Sequence, residues 1–246
     1  MTGQLTNADK LNKMSTAELK NELLALTKDR DVESLNKKVL FYKNELEPFF
    51  EELSRRNEFP IAEEQVALVL GVWSPVWSTI PFQDILPGRI GEQSYQIFND
   101  NGYYANMARY ALGNQLPFLQ KLSSKLLAYD LMVLQKFEIK NGQWQIQNVG
   151  IEQAFKIRGL PLDIDKAENW FKAVVEAKLK ISSSKIDLPE APNLENLDKS
   201  TAKKFKKIFL AIPQLEHLYI DRDFRLIKTQ REAKQRPSYT IAVRRR

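Results

Sequence analysis

The stretch from Gln65 to Pro81, QVALVLGVWSPVWSTIP, constrains the fold more than any other part of the sequence. The residues before it show helical periodicity, and most of the residues after it show the patterns of strands. Gly71 and Trp73 stand two residues apart where the β region begins. That spacing suits a barrel whose first strand bends at a glycine while an indole fills one end. A buried tryptophan in an ordinary core gives the same spacing, so this stretch alone leaves both interpretations open.

The absence of cysteine and the single histidine argue against several kinds of site. Without cysteine the chain has no disulfide, no thiolate metal ligand and no cysteine nucleophile. One histidine, His217, does not support a histidine-based metal site or a Ser-His-Asp triad. Its neighbour Glu216 indicates a position on the surface or in a hairpin. We therefore predict no catalytic residue, no metal and no enzymatic activity.

The size and hydropathy of the chain fit a protein with a proper hydrophobic core. Its 246 residues, 43% of them hydrophobic, are enough for one large β domain with an appendage, or for two small domains. No apolar run reaches about 18 residues, so no membrane-spanning helix is predicted. The first residues show neither a secretory signal nor an Arg-rich transit peptide.

The positive charge is concentrated at one end of the chain. The segment from Arg222 to Arg246 carries nine basic and two acidic residues, or +7, whereas the whole chain carries +6. The rest of the chain therefore sums to −1, which does not indicate a nucleic-acid partner. The last three residues, Arg244 to Arg246, are predicted to aid attachment to an anionic membrane surface.

Helical periodicity dominates the first sixty residues. Ser15 and Glu18 form a capping-box pattern, and Asp31 is expected to cap a second, longer helix. An apolar stripe runs through 32–53, with a break or kink expected near Glu47 because Pro48 follows it. The polar face of the stripe is mixed in sign, which favours packing on the chain's own domain over binding to a membrane or a partner.

The remaining sequence favours antiparallel strands joined by hairpins. Asn-Gly turns at 101–102 and 141–142 tolerate the positive φ of tight hairpins. Strands are predicted at 66–79, 92–99, 102–112, 126–140, 143–159, 214–220, 223–229 and 238–244. Eight strands in up-and-down order would close a barrel wide enough for a small ligand.

The predicted fold class is mainly β with a helical N-terminus (α+β), built on an antiparallel β-barrel. The helical segment at 1–60 is predicted to pack on a barrel formed by 61–246. Within the barrel sequence, Asp165 and Glu168 form a second capping-box pattern, which predicts an inserted helix at about 165–180. The function of this helix and of the loop after it, as a lid or as a simple cap, is left open.

Aromatic and amide side chains are the candidates for contact with a ligand inside the barrel. Neighbouring residues of a strand face opposite sides, so only one of two sets in the third strand points inward. We place the set with Tyr104 inside, rather than the set with Tyr103 and Met107, because that choice leaves Arg109 in water. The predicted ligand-binding residues are Trp77, Tyr104, Asn106 and Tyr110.

A tight charged cluster lies near the end of the chain. Asp221, Asp223 and Arg225 alternate poorly with the apolar residues between them, which indicates a turn. We interpret the cluster as structural, with an acid that accepts from the turn amides and an arginine held by packing or pairing.

The combined pattern resembles the plastid lipid-associated protein (PAP)/fibrillin family of cyanobacteria and chloroplasts. The similarity is spread over most of the chain, and the motif at 219–227 is its most specific part. The segments that carry it are Leu53-Ser-Arg-Arg-Asn57 with Pro60, Leu70-Gly-Val-Trp73, Trp144–Ile151 and Tyr219-Ile-Asp-Arg-Asp-Phe-Arg-Leu-Ile227, the last similar to the family's YLDEDLRI.

This resemblance implies a lipocalin-like barrel that binds lipid or a small isoprenoid-type molecule without catalysis, such as a quinone or a carotenoid. It also implies peripheral association with thylakoid or plastoglobule-type membranes, in a cyanobacterium or in a plastid. In lipocalin-like barrels, an arginine from a late strand lies across the GxW indole, which here implies Arg225 over Trp73.

Two other functions remain open at this point. The first is a bilin or tetrapyrrole-handling, lyase-like protein on the same scaffold, with Arg109, Arg225 and Asp221 as its charged residues. The second is a scaffold or assembly factor that grips a protein partner with the N-terminal helices.

Overall fold

Eight antiparallel strands pair in sequence order, and the first also pairs with the last. They are seen in a computed structural model that describes residues 7–81, 88–111, 127–182, 213–230 and 235–246. The strands are β1 (Gly71–Ser78), β2 (Arg89–Phe98), β3 (Tyr103–Tyr110), β4 (Leu127–Lys140), β5 (Gln143–Ile157), β6 (Gln214–Ile220), β7 (Phe224–Gln230) and β8 (Ser238–Arg244). The hydrogen-bonded strands thus form a ring, and the prediction of a mainly β chain with helices is confirmed.

The helices flank this ring. They are α1 (Asn7–Lys13), α2 (Thr16–Thr27), α3 (Leu35–Phe41), a π-helical turn (Tyr42–Leu46), α4 (Glu47–Arg55), α5 (Val66–Val69) and α6 (Ile164–Ser182). None of the helices in the described ranges combines the length and the apolar character needed to cross a bilayer.

The start of β1 differs from the predicted strand at 66–79. Residues 66–69 form α5, and the strand begins at Gly71, whose φ is +106°. A Cβ at this position would lie 2.4 Å from the carbonyl oxygen of Arg246, so both the backbone angle and the close approach require glycine. This glycine turns the chain from α5 into the ring.

A bulge in β1 separates its two tryptophans. The pairing with β8 shifts register between Pro75 and Trp77, so the regular alternation is lost there. Without the bulge, Trp73 and Trp77 would face the same side of the strand. Instead Trp73 lies at one end of the interior, and Trp77 packs against the N-terminal helices outside the ring.

The N-terminal helices bury the part of their apolar stripe from Tyr42 to Leu53 against β1 and β6–β8, whereas Val32 at the start of the predicted stripe is exposed. The shared core contains Leu19, Leu23, Leu46, Phe50 and Leu53 from the helices and Trp77, Tyr219, Phe224, Leu226 and Ile241 from the strands. The predicted capping box is confirmed, since Ser15 accepts from the backbone of Glu18 and the Glu18 carboxylate accepts from the backbone of Ser15.

The interruption expected near Glu47 takes the form of the π-helical turn. The N–H of Glu47 bonds to the carbonyl of Tyr42, and Pro48 then stands in the first turn of α4, where its missing N–H costs little. The role predicted for Asp31 is wrong. Ser34 precedes α3, and the Asp31 carboxylate accepts from the backbone N–H of Ser78 and pairs with Arg89.

Helix α6 covers the outer side of β2–β4, where Phe171 and Val175 enter a core with Met107 and Met132. The capping residue predicted for this helix is wrong by two positions. The Asp163 carboxylate accepts from the backbone N–H of Lys166, at 2.9 Å. Asp165 points elsewhere and pairs with Arg246.

Candidate functional site

One end of the ring is plugged by a stack of cations and aromatic rings around Trp73. The Arg225 guanidinium lies 4.4 Å from the centre of the Trp73 ring system, and the Arg244 guanidinium lies 4.2 Å from it. The indole N–H donates to the carbonyl of Val69 in α5, at 2.7 Å. The predicted contact of Arg225 with Trp73 is therefore confirmed, and a second arginine that was not predicted joins it.

Arg225 is buried, with 1% of its surface exposed. Its Nη2 donates to the Oε1 of Gln96 at 2.7 Å, its Nη1 lies 3.4 Å from the Nε2 of His217, and Phe98 packs 4.8 Å from the guanidinium. Its Nε has no hydrogen-bond partner within the described part of the chain. Burial is the main cause that lowers the pKa of Arg225 to about 9, so the group remains charged at neutral pH.

A cavity of about 120 Å³ extends from this plug through the interior of the ring. Arg225 and Phe98 line it at the plugged end, and Ile80 and Tyr110 line it toward the opposite end. Its apolar walls come from several strands and include Leu131, Val133, Ile146, Leu215 and Ile227. Such a space resembles in size an engineered apolar cavity, of about 150 Å³, that admits benzene. It can therefore enclose one end of a larger ligand.

Three of the four predicted ligand-binding residues line this cavity, namely Tyr104, Asn106 and Tyr110. Trp77 does not, because the bulge in β1 turns it outward, where it is fully buried under the helices. The reason given for choosing the Tyr104 face is also wrong, since Arg109 is not in water.

Arg109 is 2% exposed and forms a two-pronged ion pair with Asp130 on the next strand. Its Nε donates to Oδ1 at 2.6 Å and its Nη2 donates to Oδ2 at 2.7 Å, while its Nη1 donates to the carbonyl of Leu160. The charge of Arg109, on the outer side of β3, is thus neutralised by Asp130 beneath the turn that leads to α6.

Four amide side chains form a ladder across the inner face of β2–β5, and sequence analysis missed three of them. The Nε2 of Gln96 donates to the Oδ1 of Asn106 at 3.0 Å. The Nδ2 of Asn106 donates to the Oε1 of Gln135, and the Nε2 of Gln135 donates to the Oδ1 of Asn148, each at 2.7 Å. This amide ladder begins at Arg225, which donates to Gln96. No local signal distinguishes the missed amides, because Gln135 and Asn148 each stand beside a polar residue, and only the strand register turns their side chains inward.

His217 lies in the β6–β7 hairpin, one of the two positions predicted for it, but it is 4% exposed and therefore not on the surface. Its Nδ1 lies 3.0 Å from the Oε1 of Gln65, which also accepts from the indole N–H of Trp144 at 2.9 Å. Burial, and then the adjacent charge of Arg225, lower the pKa of His217 well below its ordinary value. The imidazole is therefore neutral. Its Nδ1–H donates to Gln65, and its Nε2 faces Arg225 as an acceptor.

The turn between β6 and β7 has the structural role predicted for it. The Oδ1 of Asp221 accepts from the backbone N–H groups of Asp223 and Phe224, at 2.9 and 2.8 Å. Its Oδ2 accepts from Lys20 at 2.5 Å and from the Tyr219 hydroxyl at 2.7 Å. Burial alone would raise the pKa of Asp221, but the hydrogen bonds from Lys20 and from the Asp223 backbone hold it below its ordinary value. This carboxylate ties α2 to the turn.

The three C-terminal arginines are engaged within the chain. Arg244 donates to the carbonyl oxygens of Leu70, at 2.7 Å, and of Leu68. Arg245 donates to the Ser74 hydroxyl at 3.0 Å. Arg246 pairs with Asp165 and Glu168 in α6, at 2.8 and 2.7 Å. The tail thus joins α5 and α6 to the plugged end of the ring.

A scan against protein-family models finds no match, and a search of curated proteins finds no similar sequence. In the described ranges, no three carboxylate or imidazole groups lie close enough together to hold a metal ion.

Proposed function

We propose that the chain is a non-catalytic binder of a small hydrophobic molecule, held inside a lipocalin-like barrel. The observation that carries the proposal is the cavity, which has apolar walls on several strands and ends at a buried plug. Apolar surface that a ligand removes from water there contributes roughly 25 cal/mol per Å² to binding. The resemblance to the PAP/fibrillin family supports a lipid or isoprenoid-type ligand, such as a quinone or a carotenoid.

The polar groups of the interior fit binding better than catalysis. The amides of Gln96, Asn106 and Gln135 are satisfied by one another, so none of them is poised to attack a ligand. His217 is neutral and turned into the plug, with Gln65 and Arg225 as its partners. A general base would need an open path from its nitrogen to the substrate.

The same placement weakens the tetrapyrrole alternative. Of the three residues considered for it, Arg109 is paired with Asp130 outside the cavity, and Asp221 lies in the turn beside Lys20. Arg225 alone lines the cavity. A scaffold role for the N-terminal helices is weakened as well, since their apolar stripe is buried from Tyr42 to Leu53 against the chain's own strands.

Association with a thylakoid or plastoglobule-type membrane remains part of the proposal and rests on the family resemblance. The C-terminal arginines support it less than their sequence suggested, because Arg244 and Arg246 already have partners within the chain. A membrane contact through these groups would compete with those bonds.

The test is the identity of what the protein carries, compared with two variants. The natively purified chain is extracted with organic solvent, and the extract is analysed by mass spectrometry. Ala108 lines the cavity, and Ala108→Phe fills part of it. Ala154 is half-buried on β5, does not line the cavity, and gives the matched control Ala154→Phe.

We expect a hydrophobic compound in the extracts of the wild type and of Ala154→Phe, and its loss from Ala108→Phe. A coloured open-chain tetrapyrrole would favour the lyase-like alternative. An empty extract from the wild type, together with no binding of added hydrophobic compounds, would refute the proposed function.

A further inference from the structure

We propose that the hydrophobic ligand carries a carboxylate, and that Arg225 binds this group at the plugged end of the cavity. The inference deepens the proposed function and rests on it. It follows from a buried cation that lines the cavity and has an unused hydrogen-bond donor.

The first observation is that no carboxylate of the described residues neutralises the charge of Arg225. Its hydrogen-bond partners are the neutral Gln96 and the neutral His217. No carboxylate in the described ranges pairs with it, and Arg244, which also packs on the Trp73 ring, adds a second positive charge nearby. A buried charge without a counter-charge is costly, so proteins normally pair it. A ligand anion would remove this cost.

The second observation is a comparison with two other arginines of the described strands. Arg89 lines the cavity toward its opposite end, and it is paired with Asp31. Arg109 uses the side-on fork of its guanidinium, Nε and Nη2, to bind both oxygens of Asp130, at 2.6 and 2.7 Å. In Arg225 only one of the two N–H groups of this fork has a partner. Its Nη2 donates to the Oε1 of Gln96, whereas its Nε has no hydrogen-bond partner among the described residues. A neutral amide oxygen thus stands where Arg109 has a carboxylate.

The shape of the free donor selects the kind of anion. The side-on fork is planar and presents two parallel N–H groups, which match the two oxygens of a carboxylate. A ligand oxygen can accept from Nε and share Nη2 with Gln96. Arg244 does not line the cavity and donates to the carbonyl oxygens of Leu68 and Leu70. At this end the ligand therefore meets the guanidinium of Arg225 alone, and a monoanion suits the buried place better than a doubly charged phosphate.

The position of Arg225 also sets the direction of the ligand. The guanidinium lies at the plugged end, against Trp73 and Phe98. The apolar walls, including Val133 and Ile227, extend from there toward Tyr110. The acid group would therefore lie deepest, with the apolar body toward the opposite end. Fatty acids and carboxylated isoprenoids share this chemistry.

Binding of matched ligands to the full chain tests the inference. Isothermal titration calorimetry compares decanoate with decanol, which share the chain length and differ in the head group. Charge-assisted hydrogen bonds predict that decanoate binds at least about tenfold more tightly. In Gln96→Glu, an acid of the same length as glutamine faces Arg225. This variant should lose that preference, because its own carboxylate then pairs with Arg225.

A spectroscopic measurement locates the contact without any substitution. The Nε–H resonance of Arg225 should shift when decanoate is added and should stay in place with decanol. The Nε–H of Arg109 is the internal control, since Asp130 already occupies it, and it should not move with either ligand.

The outcomes separate the two proposals. If the wild type binds decanoate and decanol equally, the carboxylate inference is wrong and the hydrophobic-binder proposal stands. If Gln96→Glu keeps the preference for the acid, or if the Arg225 resonance does not respond, Arg225 is not the carboxylate partner. If neither compound binds, the proposed function fails and the inference fails with it.

A carboxylated isoprenoid, tested beside decanoate, distinguishes the two classes of ligand, because both compounds carry the same acid group on different apolar bodies. Tighter binding of the isoprenoid acid assigns the cavity to that class, and tighter binding of decanoate assigns it to fatty acids.

Discussion

Acidification should weaken the fold through His217, the only histidine in the chain. The ring is buried, and protonation would place a second cation beside Arg225. It would also remove the Nε2 acceptor that faces the guanidinium. The folded state therefore holds His217 neutral at a pH where the unfolded chain already takes up a proton.

The sign and size of the effect follow from this difference. Because the folded pKa lies below the unfolded value of about 6.5, the contribution is fully present above that pH and is lost as the pH falls toward the folded pKa. Between pH 7.5 and pH 5.5, the protonated fraction of the unfolded histidine rises from about 0.1 to about 0.9. Integrated over that range, the free energy of unfolding falls by about 1.4 kcal/mol while the folded ring stays neutral.

Other groups whose pKa is shifted titrate outside this window. Glu18, Asp163 and Asp221 all have pKa values held below the ordinary carboxylate range. Their contributions are therefore lost only at lower pH. The interval from pH 7.5 to pH 5.5 reports mainly on the histidine.

Urea denaturation at the two pH values measures the effect, with His217→Gln as the matched variant. Glutamine can donate to Gln65 and accept from Arg225, but it cannot bind a proton in this range. The wild type should lose about 1.4 kcal/mol more than the variant on acidification. Equal losses in the two proteins, or an unchanged stability of the wild type, would show that the buried histidine is not held neutral.

Three further predictions concern the parts that surround the cavity. In hydrogen exchange without lipid, the amides around Leu23 and Leu53 should be strongly protected because both side chains are fully buried; exchange as fast as in the free chain would refute packing of the helices. Asp221→Ala should lower the free energy of unfolding in urea by roughly 1–3 kcal/mol, because two turn amides and Lys20 lose their acceptor; an effect no larger than that of the control Asp223→Ala would contradict this. Removal of residues 244–246 should lower the free energy of unfolding, because these residues donate to α5 and pair with α6. Vesicle co-sedimentation at low salt tests the membrane role separately. Unchanged stability together with unchanged sedimentation would exclude both roles.

Local patterns were sufficient to predict most of the strands. Alternation between apolar and polar residues identified β4, and the Asn-Gly turns bounded β3 and β5, because both signals act over a few residues. The error in β1 has the same origin. Residues 66–69 are apolar, and nothing local distinguishes a short buried helix from the start of a buried strand.

Contacts between distant strands could not be predicted in the same way. Trp77 faces outward because of a bulge that depends on the pairing of β1 with β8. Nothing in the neighbouring sequence marks His217 or Arg109 as buried, because each has its polar partner on another element, Gln65 for His217 and Asp130 for Arg109. The contact of Arg225 with Trp73 was predicted only because the resemblance to lipocalin-like barrels implied it.

The amide ladder shows how the Arg225 guanidinium can set the orientation of the interior amides. A glutamine or asparagine side chain can be turned either way, since its two ends differ only in donor and acceptor. Arg225 donates and cannot accept, so Gln96 must present its oxygen to it and its nitrogen to Asn106. The same constraint passes to Gln135 and then to Asn148. Each amide therefore donates to the next one along the ladder, away from the guanidinium. No amide donor of the ladder is left to bind an acceptor placed at the Nε of Arg225. The proposed ligand carboxylate would complete this arrangement without reversing any of its members.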